Sequence, residues 1–198
     1  MRLSTLLFTS CLLLCGSLAM AQRGDHTTRI RIPNYIGIKI IDAAGNIRSN
    51  ASVEFNYEDD GTDLLTYVNL IEAGGGTLPP TEVVEFEDIQ VATRGGGEWR
   101  IYTRTLNPVG FTNASGFRLN DVRVNPGSVS GLTRGASIAA MLGGWNLRTN
   151  WRYIVRGQGA TQGWDSLGFN GYDYTIQVQG DEEPGEHRAT VEYLLFFP

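Results

Sequence analysis

The sequence predicts an all-β protein: an antiparallel β-sandwich, broadly immunoglobulin-like, with little helix. Three observations predict it. Apolar and polar residues alternate with period two along most of the chain, the pattern of strands with one buried face. Turn formers punctuate that alternation at short intervals, among them Gly45-Asn46, Asp60-Gly61, Gly74-Gly75-Gly76, Gly95-Gly96-Gly97, Asn125-Pro126-Gly127 and Pro184-Gly185. Helical periodicity is close to absent. Roughly nine or ten short strands in one domain are expected from such spacing.

The elements follow in order. Thr28–Ile32 alternates, and Ile36–Ile40 alternates again after the Pro33-Asn34 break. Val53, Phe55 and Tyr57 share a face. Val84 and Phe86 share another, but Ile89 and Val91 fall on the opposite parity, so a β-bulge or a strand break is expected near Glu87-Asp88. The same switch separates Phe117 and Leu119 from Val122 and Val124. Further strands are expected at Trp99–Arg104 and Trp151–Arg156. Tyr172, Tyr174, Ile176 and Val178 mark one face of a long strand. Ala189, Val191, Tyr193, Leu195 and Phe197 mark one face of the last, whose other face also turns apolar at Leu194 and Phe196, so that end is expected to be covered on both sides. Helix is expected only as a turn or two in Ala136–Leu142, and residues 125–150 read as the least regular part, containing a long crossing loop.

The N-terminus predicts export. Arg2, the apolar run Leu6–Leu14 and Ala19-Met20-Ala21 have the order of a signal peptide over residues 1–21, cleaved before Gln22. Thr9, Ser10 and Gly16 break the run, which is too short to remain as a membrane span. Residues 22–198 are then a single secreted domain, extracellular, at the cell surface or in the periplasm, with no transmembrane segment. A lipoprotein cleaved before Cys15 is the competing reading: Gly16 suits it, and bulky Leu14 does not. Cys11 and Cys15 both lie in the leader, so the mature domain has no thiol for a disulfide, a thiolate metal site or a nucleophile. A domain of this length can bury a core without such staples.

The formal net charge is −5, becoming −6 without Arg2, and no basic stripe interrupts the mixed surface. Nucleic acid is therefore not an expected partner. Catalysis has little to draw on. The two histidines, His26 and His187, have no metal-ligand spacing, and no G-x-S-x-G nucleophile turn occurs. No enzyme is expected, although an exported hydrolase using paired carboxylates stays open. No cofactor is expected, apart from calcium in the acidic hairpin Glu58–Asp63. There Asp59, Asp60 and Asp63 supply oxygen ligands beside Gly61, out of EF-hand order; a solvated acidic turn is the plainer reading. Of the four tryptophans, Trp164 is the least core-like, because Gly163 and Asp165 flank it. Trp164 with Tyr172 and Tyr174 is the candidate ligand site, a platform on which sugar rings could stack.

Two stretches carry a resemblance: Arg29-Ile-Arg-Ile-Pro-Asn-Tyr-Ile-Gly-Ile-Lys-Ile41, and the ending from Gly180-Asp-Glu-Glu-Pro-Gly through the alternating strand to Pro198. Together they resemble bacterial exported surface β-sandwich proteins of the pilin and fimbrial-subunit kind, although the disulfide of chaperone–usher pilins is missing. The resemblance implies a cell-surface structural or adhesive protein, a subunit of a filament or envelope layer. Its partners would be copies of itself or other envelope proteins, with Ile30 and Ile32 entering a neighbour's groove by strand addition. The alternative is a carbohydrate-binding module whose partners are glycans.

Intact-mass analysis of the exported protein is expected to give a chain starting at Gln22. A diacylglyceryl adduct on Cys15 would instead establish the lipoprotein.

Overall fold

The alternation becomes short strands in the computed structural model, which describes residues 36–57, 62–93, 95–111, 117–127, 132, 136–182 and 187–198. The expected leader and the segment His26–Ile32 lie outside the described residues. In chain order the strands are β1 (Ile36–Ile41), β2 (Ile47–Arg48), β3 (Ser52–Glu54), β4 (Gly76–Leu78), β5 (Glu82–Val84), β6 (Asp88–Thr93) and β7 (Glu98–Val109). There follow β8 (Val122–Val124), β9 (Ser137–Met141), β10 (Trp145–Asn146), β11 (Arg152–Gln158), β12 (Asp165–Ser166), β13 (Tyr174–Val178) and β14 (Arg188–Phe196). They form three four-stranded sheets, ordered β12-β6-β1-β2, β10-β8-β13-β4 and β14-β7-β11-β9, and a two-stranded ribbon, β3-β5. Strand pairs in all of them run antiparallel. The fold is all-β and sandwich-like, as the alternation predicts. No helix among the described residues is long and apolar enough to cross a membrane.

The helix falls elsewhere than expected. Ala136–Leu142 is not helical, because Ser137–Met141 pairs with β11 and the sheet overrides its Ala-rich local preference. The helix is α1, Thr62–Glu72. Leu64, Tyr67, Val68 and Ile71 recur at the spacing of one helical face, and Asp63 in the first turn complements the helix dipole. Its end is fixed by glycine. Gly74, at φ +95°, donates to the Ile71 carbonyl, and Gly75 donates to the Leu70 carbonyl, which satisfies two carbonyls of the last turn. Within residues 125–150 the structure places two short strands, β9 and β10.

The expected parity switches have local causes. Between β5 and β6 the chain breaks at Glu85, which sits at φ +54°. Before β8, Leu119–Asp121 form a 3-10 turn whose Asp121 carboxylate accepts from the Arg118 N–H at 2.7 Å. A bulge in β11 between Tyr153 and Val155 lets Ile154 and Val155, adjacent in sequence, both turn inward and bury completely. In β14, Val191, Tyr193 and Leu195 pack against the core as the parity predicts, but Leu194 and Phe196 are exposed, so the end of the strand is not covered on both sides as expected.

Two contacts organise the core. Trp99 on β7 is fully buried and lies across Gly157, its partner on β11. A Cβ at Gly157 would stand 1.9 Å from the indole, so only glycine fits there. The second contact joins two sheets. The hydroxyls of Tyr174 on β13 and Tyr193 on β14 meet at 2.6 Å. Phe86 and Phe169 pack edge-on or tilted beside these rings, at centroid distances of 6.0 and 5.9 Å, and Trp145 stands 5.5 Å from Phe169.

Burial pushes the Tyr174 phenol up to about 12 and raises Tyr193 well above its ordinary range. A raised folded-state value means that the stability tied to these groups is fully present below the ordinary phenol value of 10.0. It is lost as pH climbs toward about 12, because the unfolded phenols release their protons first. Alkaline unfolding, followed together by phenolate absorbance and circular dichroism, is expected in that window. Tyr174→Phe or Tyr193→Phe alone strands a buried hydroxyl and should cost about 1–3 kcal/mol, whereas the double Phe variant should cost less than the two summed. Additive costs would mean that the hydroxyls do not pair.

Candidate functional site

A shallow depression of roughly 420 Å³ opens beside the β1–β2 turn and is lined in part by Asp42, Glu87, Asp88, Ser166 and Asn170. Two of its carboxylates hold the fold together. Asp42 accepts hydrogen bonds from the backbone N–H groups of Ala44 and Asn46, at 2.9 and 2.8 Å, and from Arg48 Nε at 2.7 Å. The Asn46 side chain, then the Asn46 backbone and Arg48, hold its carboxyl down at about 2 against the opposing effect of burial. Arg48 reaches on to Glu85 at 3.2 Å. Asp88 accepts from the Ser166 hydroxyl at 2.8 Å, clasping β6 to β12, and burial raises its pKa against the hydrogen bonds it receives. The arrangement fixes a turn and a strand pair.

The sugar platform expected from the sequence is not assembled. Tyr174 is 4% exposed, with its ring in the core. Tyr172 is 64% exposed. The two part because Gly171–Asp173 form a 3-10 turn, in which the Asn170 side chain accepts from the Tyr172 N–H, and the alternation begins only at Tyr174. Trp164 is half-buried, with the Lys39 ammonium 4.5 Å from its ring centroid. Of the calcium candidates, Asp59 and Asp60 lie outside the described residues, and Asp63 is exposed in the first turn of α1. No group of three or more His, Cys, Asp or Glu side chains suited to a metal occurs among the described residues. The His187 ring packs 5.7 Å from Phe111 and 5.2 Å from Phe117. His26 lies outside the described residues.

A different surface gathers the exposed aromatics. On β7, Trp99, Ile101, Thr103 and Thr105 point inward, which turns Arg100, Tyr102 and Arg104 to the outer face of the β14-β7-β11-β9 sheet. Cross-strand register then builds rows. Phe196, Arg100 and Arg156 stand abreast in one row, and Leu194, Tyr102 and Tyr153 in the next. The two tyrosine rings meet edge-on at 6.0 Å. In a third row Arg104 bonds Glu192 at 2.7 Å, and its guanidinium lies 4.4 Å from the Trp151 ring centroid. Arg100 pairs with Glu98 at 2.5 Å. Leu194, Phe196 and Trp151 are 44%, 47% and 39% exposed.

The result is a broad aromatic surface laced with short ion pairs, and it has no deep cleft. No single stretch of sequence carries it. Its signal was the apolar second face of the last strand, Leu194 and Phe196, combined with the register that sets those residues beside Tyr102 and Arg100. Comparison with protein-family models, curated proteins and solved structures finds no match to this chain.

Asp42 makes acid sensitivity testable. Its folded value of about 2 lies below the ordinary 3.8, so its contribution is present above about pH 4 and is lost as pH falls toward 2. Asp42→Asn is expected to be less stable than wild type at neutral pH and to converge with it in acid. Parallel acid-unfolding curves would show that Asp42 contributes nothing through its charge.

Proposed function

We propose that this protein is an exported structural or adhesive subunit of a filament or envelope layer, acting through the outer face of the β14-β7-β11-β9 sheet. The leader-like N-terminus supports export. The observation that carries the reading is the row structure of that face. Tyrosine, tryptophan and arginine are the residues that anchor protein–protein contacts, and ionic pairs form the polar surround such contacts use. β14 adds a second means of association. It stands at the end of its sheet and, among the described residues, pairs only with β7. A nine-residue edge strand with apolar side chains on both faces is a template for another strand. The favoured partner is therefore a second copy of this chain, joined along β14.

Carbohydrate binding is the second reading, on residues other than those expected from sequence. Trp151 is an indole exposed on the side away from Arg104, and an aromatic ring open to solvent suits a pyranose face.

Sedimentation over a concentration series, with negative-stain microscopy, separates the two. The exported protein should self-associate, and Leu194→Asp combined with Phe196→Asp should weaken association at least about tenfold while the circular dichroism spectrum is kept. A wild-type monomer at all concentrations would overturn the subunit reading. Binding on a glycan array that is lost in Trp151→Ala would establish the second.

A further inference from the structure

The β14-β7-β11-β9 sheet ends in two strands, β14 at one edge and β9 at the other, and among the described residues β9 pairs only with β11. Its ladders are all antiparallel, between β14 and β7, β7 and β11, and β11 and β9. Strand direction therefore reverses at each step across the sheet, and the two edges run in opposite directions. A second copy placed alongside in the same orientation brings its β14 antiparallel to the first copy's β9. The alternation of directions then continues across the junction, and the outer faces of both copies stay on one side.

The side chains of the two edges suit that step. β9, Ser137–Met141, carries no charged residue, and Ala136 and Leu142 on either side of it are apolar. Open edges are ordinarily guarded by charge, proline or a bulge. β9 has only the bulge, where its register against β11 shifts between Arg156 and Gly157. Ile138 and Met141 pack on the core, while Ser137, Ala139 and Ala140 are small and exposed. Ala140 stands opposite Arg156, so the outer row that begins at Phe196 and passes through Arg100 and Arg156 ends on a single methyl group. The other edge presents Leu194 and Phe196, both large and exposed. At a junction of β14 with β9, large side chains fall beside small ones and interdigitate.

We propose that β9 is the edge that receives β14 of the next copy, so that copies add head to tail and one sheet runs on through all of them. The proposal rests on the subunit reading above and specifies its geometry. Two copies joined β14 to β14 about a two-fold axis form a closed dimer, which leaves the uncharged edge of β9 open. The head-to-tail step gives both edges a partner in every copy between the two ends. It is a heterologous contact, and the twist of the sheet turns each copy relative to the last, which generates an open helical filament.

Sedimentation over a concentration series tests the assignment. The wild type is expected to pass beyond a dimer as its concentration rises. Ala140→Asp and Ser137→Asp, both at exposed positions of β9, should each weaken association at least about tenfold with the circular dichroism spectrum unchanged. If one of them fails to fold, the other decides. The sharpest sample mixes such a β9 variant with the Leu194→Asp, Phe196→Asp protein in equal amounts, at a concentration where neither associates alone. One chain keeps a working β14 and the other a working β9, so the mixture should form a heterodimer and nothing larger. A wild type that stops at a dimer would overturn the assignment to β9 and leave joining along β14 standing. With an associating wild type, β9 variants that associate as it does, or a mixture that stays monomeric, would do the same. A wild-type monomer at every concentration would overturn the subunit reading and the assignment together.

Discussion

Two tyrosine hydroxyls 2.6 Å apart join sheets that share no backbone ladder. Within each sheet the antiparallel hydrogen bonds set the register; between these two, among the described residues, a single backbone bond from the Thr105 N–H to the Arg148 carbonyl is joined by side-chain contacts. The Tyr174–Tyr193 contact is directional, which the surrounding apolar packing is not. Phe86, Phe169 and Trp145 exclude water around it and raise the cost of leaving either hydroxyl unpaired. In a domain whose cysteines are confined to the expected leader, this buried pair gives a specificity of sheet-to-sheet placement that a disulfide often supplies elsewhere.

Trp99 and Gly157 do the corresponding work inside one sheet. A large ring over a bare backbone fills the space that two ordinary side chains would occupy, and it fixes β7 against β11. The same strands carry the outer face, so the geometry of Tyr102 and Tyr153 is inherited from the packing of Trp99 beneath them.

Strand positions were legible in the sequence wherever alternation ran uninterrupted. Ile36–Ile41, Trp99–Arg104 within Glu98–Val109, and the last strand fall on alternating runs, whereas Arg152–Gln158 formed in spite of the adjacent buried pair Ile154 and Val155. Reading failed where a local hydrogen-bonded device cut the period. The 3-10 turn at Gly171–Asp173 separates Tyr172 from Tyr174, so two residues with the same sequence parity end on opposite sides of the protein boundary. The helix Thr62–Glu72 was encoded in the spacing of Leu64, Tyr67, Val68 and Ile71, but it was masked by the surrounding strand patterns and the acidic run before it. The outer face is different in kind. It depends on which strands become neighbours, and pairings such as Tyr102 with Leu194 join residues far apart in sequence. Alternation fixes the face of a strand, not its partner.

The contact between Lys39 and Trp164 has a consequence for the chemistry of the whole surface. Lys39 is the only lysine in the chain, and its ammonium rests on an indole. Every other basic side chain is a guanidinium or one of two imidazoles. Reagents that acylate amines therefore meet one side-chain target, partly sheltered by the ring. Between neutral and strongly alkaline conditions the positive charge of this protein is nearly constant, since guanidinium groups keep their protons there. Its cationic contacts would persist through changes of medium that strip the charge from a lysine-rich surface.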